Sequence, residues 1–562
     1  MAGGDTGGKL GGIINLATDT NSSNGAQIFN TATNAFQLVG NLNTSRESAV
    51  AVALPNGLTL IVGGQTCSAA SFGGTNGFEC TALQTAELYN ENTKAFTFAG
   101  SGSGGLMTIA RSGPSATLIS GSGTALDGQV LIVGGSTGSS FLSVTAPPGG
   151  SGAPTGQVGL HSAELYNPAT DTFTATNAIP GCPTGTSCAS GLPAICAGPT
   201  SAISTASESG TTVTITMTTA NPTNLIVGDK VTVANVSVAG YNGNFTVTAI
   251  PTGTTFQYTA ASGLTAGSGG TAAADTSECG MVDQGAALIP NDGGKVLLAG
   301  GDLVTFLGQS SNTSFLFDPT TQTFARTTGS MASPRELFPL VALDPSVVTG
   351  SLSGDVVAYG GIDANSNTCT VSSSPVVATT LNTAEVFNPS TQTWSAAANT
   401  MGVKRATVAT LLEAGSLAGE VIVPGGVDVE AGTFPSTCAA VTGIKQAAQS
   451  ETDLYDPGTE VGGTFSATGS LNQAREGQGQ GVLGSGTDVT DVLVIGGACT
   501  TPTPSLQSVT IGTSQAATTC GSTSAQNDYS ELYSQASKTW TVGPGPATGF
   551  TPTNAPASAV LP

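Results

Sequence analysis

The sequence predicts an all-β fold, a seven-bladed β-propeller with a small all-β domain inserted between two blades. Two observations predict it: a pair of short motifs alternates along most of the 562 residues, and the composition is rich in Gly (78) and Pro (29) with only 9% charged residues. Short strands joined by tight turns have this composition. No apolar run approaches the roughly 18 residues that a bilayer-spanning helix needs, so the low charge content indicates a β protein.

The first motif is a strand of alternating character that ends in an aromatic residue, followed by a turn and a second aromatic residue. Its seven copies begin at Ala26, Ala86, Ala163, Ser314, Ala384, Thr452 and Ser530, and their second aromatic residues are Phe36, Phe96, Phe173, Phe324, Trp394, Phe465 and Trp540. Periodic self-similarity of this kind is the signature of a repeat architecture. Each copy is interpreted as the third and fourth strands of one blade.

The second motif is an apolar strand that often begins at an Arg, a short turn, and a strand that ends in Gly-Gly. Six complete copies end at Gly63-Gly64, Gly134-Gly135, Gly300-Gly301, Gly360-Gly361, Gly425-Gly426 and Gly496-Gly497. The seventh copy is split, with residues 554–562 as its first strand and residues 1–5 as the end of its second. Such a joint closes the ring and removes an exposed sheet edge.

The Gly-Gly pair and the spaced Tyr and Trp, one set per unit, resemble the kelch repeat of the galactose oxidase-like propeller superfamily. The resemblance covers nearly all of the chain outside about 180–278 and implies four strands per blade. Phe often replaces the Trp, and the units are longer than the roughly 50 residues typical of kelch repeats. We therefore expect a seven-bladed kelch-type propeller.

Charged residues recur at two fixed positions of the repeat. Arginines open the first strands, at Arg46, Arg111, Arg335, Arg405 and Arg475, and acids lie on the third strands, at Glu87, Glu164, Glu385, Asp453 and Glu531. Charges that recur at one repeat position usually serve the scaffold. We expect ion pairs between strands or blades rather than a catalytic set.

The repeat divides the chain into three segments. Residues 1–180 and 279–562 are assigned to the propeller, and residues 181–278 to the inserted small β domain with Cys-rich flanks. Inside the insertion, residues 212–216, 227–233, 241–247 and 255–259 have strand patterns. The insertion and the long connections 65–85, 136–160, 362–382, 427–450 and 498–529 all fall on one face of a propeller, which we call the decorated face.

The even number of cysteines, ten, predicts disulfides and an oxidising compartment. Cys67 and Cys80 share one connection and Cys499 and Cys520 another, whereas Cys369 and Cys438 occupy equivalent connections of adjacent blades. The remaining candidates flank the insertion and are Cys182, Cys188, Cys196 and Cys279. Connectivity stays open at this point. We expect an extracellular or cell-surface protein whose leader is not in the numbered sequence, because the first residues lack a signal-peptide pattern.

The candidate chemistry is limited. A copper radical oxidase of the galactose oxidase type needs two His ligands, so the single His161 excludes one, and it leaves no Ser-His-Asp triad independent of that residue. Asp302, Asp363 and Asp428 follow the Gly-Gly ends of three blades, and Asp5 matches them. These four acids are candidate calcium ligands, with turn-forming Asp side chains as the alternative.

The formal net charge of −22 disfavours nucleic acid and anionic membrane surfaces as partners and favours cations or neutral ligands, including glycans. The first functional hypothesis is a non-enzymatic surface propeller that binds a glycan, a protein or other copies of itself through the decorated face. The second is an extracellular carbohydrate-active enzyme with carboxylates in the central funnel, and the third is a periplasmic scaffold.

Overall fold

The structure is a computed structural model of the 562-residue chain. It describes residues 22–72, 75–101, 105–143, 158–177, 179, 201–218, 230–252, 254–274, 281–302, 310–365, 377–430, 444–458, 461–484, 490–500, 507–509, 518–519 and 529–548. Over these ranges nearly all regular structure is β-strand, so the fold is all-β as predicted. No helix in this part of the chain is long and apolar enough to cross a membrane.

The strands are short and follow one another closely along the chain. Up to residue 175 they are β1 (Gln27–Asn30), β2 (Ala35–Leu38), β3 (Val50–Ala53), β4 (Leu58–Val62), β5 (Gln65–Phe72), β6 (Thr75–Ala82), β7 (Ala86–Asn90), β8 (Ala95–Phe98), β9 (Ser115–Leu118), β10 (Val130–Val133), β11 (Ser136–Thr137), β12 (Ser139–Ser143), β13 (Val158–Gly159), β14 (Ala163–Asn167) and β15 (Thr172–Ala175). The next segment contains β16 (Ser201–Ser209), β17 (Thr212–Met217), β18 (Lys230–Ala234), β19 (Gly243–Thr246), β20 (Ala249–Thr252), β21 (Thr255–Thr259), β22 (Gly267–Ser268), β23 (Thr271–Ala274) and a 3-10 turn at Ala239–Tyr241.

The remaining strands lie after residue 281. They are β24 (Gly285–Leu288), β25 (Val296–Ala299), β26 (Ser314–Asp318), β27 (Thr323–Arg326), β28 (Leu340–Ala342), β29 (Val356–Tyr359), β30 (Ile362–Asn365), β31 (Val377–Thr380), β32 (Ala384–Asn388), β33 (Thr393–Ala396), β34 (Thr410–Leu411), β35 (Val421–Pro424), β36 (Val427–Glu430), β37 (Ile444–Ala448), β38 (Thr452–Asp456), β39 (Thr464–Ala467), β40 (Ala474–Glu476), β41 (Gly479–Val482), β42 (Val492–Ile495), β43 (Ala498–Thr500), β44 (Gln507–Val509), β45 (Thr518–Thr519), β46 (Ser530–Ser534) and β47 (Thr539–Val542).

Six four-stranded antiparallel sheets with one common strand order form the blades of a β-propeller. Blades 1 to 6 are, in chain order, β3-β4-β7-β8, β9-β10-β14-β15, β24-β25-β26-β27, β28-β29-β32-β33, β34-β35-β38-β39 and β41-β42-β46-β47. The first strands of neighbouring blades contact each other, so they surround the propeller axis. The described residues thus contain six complete blades. The predicted closing strands at 554–562 and 1–5 lie outside them.

A two-stranded sheet, β1-β2, lies between blade 6 and blade 1, and we call it the seam hairpin. On one side its Phe36 packs against Leu493 and Tyr529 of the blade 6 region. On the other side its Ile28 packs against Ile61 and Tyr89 of blade 1. The seam hairpin therefore joins the first and last complete blades.

Neighbouring blades are linked through the backbone at the Gly-Gly pairs. The N–H of Gly64 donates to the carbonyl of Arg111 at 2.9 Å, and equivalent bonds join Gly135 to Met281 at 2.6 Å and Gly301 to Arg335 at 2.9 Å. Gly135 has φ of 78°, and a Cβ there would lie 2.6 Å from the carbonyl oxygen of Ser112. A side chain is therefore sterically excluded at this link.

The recurring charges form the predicted ion pairs, and all of them are buried. The pairs are Arg46–Glu87, Arg111–Glu164, Arg335–Glu385, Arg405–Asp453 and Arg475–Glu531, with side chains 0–4% exposed. Each Arg also donates to backbone carbonyls, which helps to offset the cost of burying the charges. In blade 2, for example, Arg111 donates to the carbonyls of Gly134 and Ser162, and Glu164 accepts the N–H of Thr108 in the incoming linker. Each pair thus joins three strands and a linker.

Blade 3 replaces this ion pair with an apolar pair. Met281 occupies the Arg position, since its N–H donates to the carbonyl of Leu160 as that of Arg111 does to Leu83. Phe315 occupies the acid position on the third strand. Both side chains are buried in one hydrophobic cluster between blades 2 and 3. Blade 3 thus shows that an apolar pair can take the place of the ion pair within the same blade structure.

The aromatic residues of the first motif fill the space between blades, as the repeat predicted. Tyr166 and Phe173 of blade 2 lie with ring centroids 4.8 Å apart and pack against Leu60 and Val62 of blade 1. Such tilted aromatic pairs add to the stabilisation from buried area.

The connections between second and third strands pair with one another across blades and form what we call the second tier. Strand β12 of the blade 2 connection pairs with β6 of the blade 1 connection. Likewise β31, β36, β37 and β44 join the connections of blades 4, 5 and 6 in one sheet with β30. The turns between third and fourth strands stay short, with four residues between β7 and β8. The predicted decoration of one face is therefore present in the described residues.

Residues 201–274 form a separate eight-stranded sheet between β15 and β24. Its core cluster consists of residues from Ile203 to Ala272. The strands predicted at 212–216 and 255–259 match β17 and β21. The domain bounds 181 and 278 fall outside the described residues and stay a prediction.

Replacing Arg111 by Met should leave Glu164 charged and unpaired in the interior and lower the free energy of unfolding by about 3–5 kcal/mol. The double variant Arg111→Met/Glu164→Phe copies the apolar pair of blade 3 and should recover most of that loss. Denaturant unfolding of the three proteins measures both values. A double variant as unstable as the single one would contradict this account.

Candidate functional site: the inner acids

A ring of residues lies one position after the Arg position of each blade, and we call it the collar. Its members are Glu47, Ser112, Val282, Glu336, Ala406 and Glu476, and each forms a β-bridge with the residue after a Gly-Gly pair. Successive side chains of an extended strand point to opposite sides. Because the Arg side chain enters the blade, the collar side chain points away from the ion pair. All six are at most 7% exposed.

The carboxylate of Glu47 is bound within its surroundings. Gln65 donates its side-chain N–H to Glu47 Oε1 at 2.8 Å, and Cys67 Sγ lies 3.0 Å from the same oxygen. Ser112, the next collar residue, donates its hydroxyl to Gln65 Oε1 at 3.2 Å. Polar contacts therefore connect the collar residues of blades 1 and 2.

Glu476 has a different environment. It is 0% exposed, and neither carboxyl oxygen has a hydrogen-bond partner among the residues that the structure describes. Its partner across the β-bridge is Ala498, which offers no polar side chain. Burial raises the pKa of this carboxyl well above its ordinary value. The structure thus holds Glu476 neutral over part of the pH range in which an exposed Glu is ionised.

Two acids of blade 3 lie beside the collar. Burial raises the pKa of Asp283 to about 7, and the negative charge of Asp302 adds to the effect. Asp302 is itself 0% exposed. Asp283 Oδ1 lies 2.9 Å from the position that a Cβ of Gly113 would take, so the glycine of blade 2 makes room for it. A carboxyl that titrates near neutral pH is suited to exchange protons or to hold a cation.

The acids predicted as calcium ligands do not share one structural position. Asp302 directly follows its Gly-Gly pair, whereas Asp363 and Asp428 come one residue later, so strand alternation sends them to the opposite side. Asp428 accepts a hydrogen bond from Thr380 Oγ1 of the neighbouring connection. Burial raises the pKa of Asp363, and the nearby Arg335 opposes this shift. Asp5 lies outside the described residues, and calcium binding stays a prediction.

Cys67 and Cys80 form a disulfide and face each other in the β5-β6 hairpin. Their pairing was one of the alternatives that the sequence left open. Glu47, Cys67 and Cys80 also bring three metal-binding residue types together, but the oxidised sulfurs lack the thiolates that metal ions prefer. Cys499 lies on β43, and the other candidates, Cys182, Cys188, Cys196, Cys279, Cys369, Cys438 and Cys520, fall outside the described residues.

His161 is partly buried just before β14. Burial lowers the pKa of its imidazole, and the positive charge of Arg111 lowers it further. The ring is therefore neutral at neutral pH.

Sequence reasoning missed the collar and Asp283. A signal was present, because an Arg-Glu dipeptide recurs at 46–47, 335–336 and 475–476. In the sequence analysis the Arg of this dipeptide was assigned to an ion pair, but the Glu that follows it was given no role. The Glu was passed over because the alternation that turns it toward the other side is visible only once the strand is placed.

The chain was compared with known proteins at three levels. No protein-family model matches it. No curated protein matches it. Among solved structures it is similar to the one titled "Structure of YjhT", with a TM-score of 0.39 and 11% sequence identity over 89% of this chain and 98% of that chain. So low a score carries no argument, and the propeller fold rests on the strand order described above.

The free energy of unfolding should decrease as the pH rises, because the pKa of Glu476 is higher in the folded chain than in the unfolded chain. Because the folded pKa is raised, the unfolded chain ionises first as pH rises above about 4.3, and stability is lost until the folded pKa is reached, by about 1.4 kcal/mol per pH unit. Glu476→Gln, which cannot ionise, should gain stability relative to the wild type as pH rises from 4.5 to 8. Glu476→Val, which copies Val282 of blade 3, should behave alike. Parallel stability–pH curves for wild type and variants would disprove this.

Proposed function

We propose that this chain is a secreted or cell-surface kelch-type propeller that acts as a binding or structural module through its decorated face. The observation that carries the proposal is the second tier. Connections of different blades, such as those that contain β6 and β12, are joined there by backbone pairing. Connections of this length usually carry function, and the second tier holds those of neighbouring blades together in shared sheets.

Backbone pairing within the second tier supports binding because it orders the surface before a ligand arrives. β5 and β6 pair over eight residues and carry the Cys67–Cys80 disulfide. β36 and β37 pair over four residues and connect to strands of both neighbouring blades. A surface ordered in advance loses less conformational entropy on binding. The disulfide also supports an oxidising, extracellular location.

The charge distribution supports a neutral, polar ligand. Five of the 13 basic residues are buried Arg in ion pairs, whereas the chain has 35 acidic residues. The remaining basic side chains are too few to neutralise a phosphate backbone. Glycans, proteins and further copies of the chain are compatible with a polar surface of low charge density. The proposed partners are therefore a glycan, a protein or another copy, and not nucleic acid.

We also propose that the ring has a seventh, kelch-type blade that contains the seam hairpin. Gln27 of β1 corresponds to the acids of the ion pairs, because its partner Leu38 corresponds to Phe98, the partner of Glu87. Gln27 is buried and donates to Tyr529 Oη, and its Oε1 accepts the N–H of Ala547 at 3.0 Å. The seam hairpin would supply the two outer strands, and residues 554–562 and 1–5 the inner two.

Removing residues 549–562 should lower the thermal midpoint of the propeller, since the seam hairpin would lose its inner neighbours. A synthetic peptide of residues 549–562 added in trans should restore part of the loss in a concentration-dependent way. A scrambled peptide of the same composition is the control. An unchanged midpoint after truncation would rule out this seventh blade.

The alternative function is an extracellular carbohydrate-active enzyme with carboxylates in the funnel. The observation that favours it is the pKa of about 7 of Asp283 beside Asp302. The low exposure of the collar argues against it, because Glu336 and Glu476 are at most 1% exposed and a sugar cannot reach them without rearrangement. Binding at the decorated face remains the better supported function.

Screening the full chain on a glycan array and by electron microscopy for filaments should identify a ligand or self-assembly. Hydroxyl-radical footprinting of the complex should then protect second-tier segments such as 65–82, while the opposite turn 91–94 keeps its reactivity as an internal control. Protection confined to the opposite turns would refute the decorated-face proposal. Turnover of a bound glycan that Asp283→Asn abolishes would establish the enzyme instead.

A further inference from the structure

The disulfide hairpin β5-β6 contacts the seam segment, residues 22–30. On the β5 side, Cys67 N–H donates to Ser22 Oγ at 2.8 Å, and Ser22 N–H donates to the Cys67 carbonyl at 3.3 Å. The adjacent Ser23 carbonyl accepts the N–H of Arg46 at 3.0 Å. The seam segment is therefore bonded to the very residue that carries one sulfur of the disulfide.

The other strand of the hairpin is bonded to blade 2. Cys80 pairs with Ser140 of β12, and the hydroxyls of Thr81 and Ser139 lie 2.8 Å apart. The disulfide thus joins the strand that holds the seam to the strand that holds blade 2. The two neighbours of the hairpin are therefore bonded at, or next to, the two residues that the disulfide connects.

The collar residue Glu47 lies against this bond, with its Oε1 3.0 Å from Cys67 Sγ. Both sulfurs are buried, at 2% and 1% exposure. In the reduced state the Cys67 thiol has a hydrogen-bond acceptor in Glu47 Oε1. The neighbouring carboxylate also disfavours a thiolate at Cys67, since like charges repel. The site can therefore hold two thiols as well as a disulfide.

We propose that Cys67–Cys80 is a redox-sensitive lock on the seam of the propeller ring. A dithiol reductant supplies two electrons and two protons; the Sγ–Sγ bond breaks, both sulfurs become thiols, and the reductant becomes a cyclic disulfide. Reduction removes the Sγ–Sγ bond across the hairpin, so that β5, which holds the seam segment through hydrogen bonds to Cys67, is then held against β6 by backbone pairing alone. The inference rests on these described contacts and is independent of the proposed ligand binding.

Hydrogen–deuterium exchange of the full chain tests the lock. Treatment with dithiothreitol should accelerate exchange of residues 22–30 at least tenfold, while β35 (Val421–Pro424) of blade 5 keeps its rate. The double variant Cys67→Ala/Cys80→Ala should show the fast rate without reductant. This variant lacks the disulfide from the start, so it tests the proposal even if the reductant cannot reach the buried sulfurs.

Two controls separate the lock from general destabilisation. Dithiothreitol should cause no further acceleration at 22–30 in the double variant, which excludes an effect through the other cysteines. Ser22→Ala, which removes the hydroxyl that binds Cys67, should make residues 22–30 less responsive to reduction. An unchanged rate at 22–30 in the double variant would overturn the proposal, and so would equal acceleration of 22–30 and β35.

Discussion

The propeller depends on main-chain links between neighbouring blades, which are made at the first five Gly-Gly pairs along the chain. In blade 4 the N–H of Gly361 donates to the carbonyl of Arg405 at 3.0 Å, and the N–H of Arg405 donates to the Leu381 carbonyl at 3.1 Å. A Cβ on Gly361 would lie 2.8 Å from the carbonyl oxygen of Glu336. The link therefore requires a glycine as the donor of the N–H, whereas the residue that provides the carbonyl can carry any side chain.

This asymmetry explains why the ion pairs are variable and the glycines are not. Met281 replaces the Arg in blade 3, yet its carbonyl still accepts the N–H of Gly135. An apolar pair of suitable shape can replace a buried ion pair at little cost, whereas removal of one partner alone is strongly destabilising. The ion pairs accordingly work as complete units that tie strands and linkers together, on a frame that the backbone provides.

The same geometry accounts for the buried acids at the axis. Alternation along the first strand sends the Arg into the blade and its successor to the other side, where the second tier covers it. Glu47 accepts a hydrogen bond from Gln65 there, whereas the residue opposite Glu476 across the β-bridge is Ala498, which has no polar side chain. Burial without a polar partner on that bridge favours the neutral form of the Glu476 carboxyl and raises its pKa. The acids of the collar are therefore too deeply buried to contact a ligand without rearrangement.

The second tier gives the ring a second layer of connections. Around the axis, neighbouring blades contact each other through their first strands. In the second tier, they contact each other through the connections between their second and third strands. The seam segment, residues 22–30, contacts Tyr529 next to blade 6 through Gln27, and the second tier through Ser22. The hairpin that carries Cys67 and Cys80 thus contacts both the seam segment and the connection of blade 2.

The sequence by itself determined the all-β class, the blade order and the ion pairs, because each depends on local patterns that repeat. Gly-Gly, the aromatic positions and the Arg and acid positions mark strand ends and faces wherever they occur, so their recurrence predicts the ring. Only the tertiary structure decided which connections pair across blades, that Cys67 binds Cys80, and that Asp283 and Glu476 are perturbed. Those properties depend on neighbours from distant parts of the chain, and no local pattern specifies burial by a different blade.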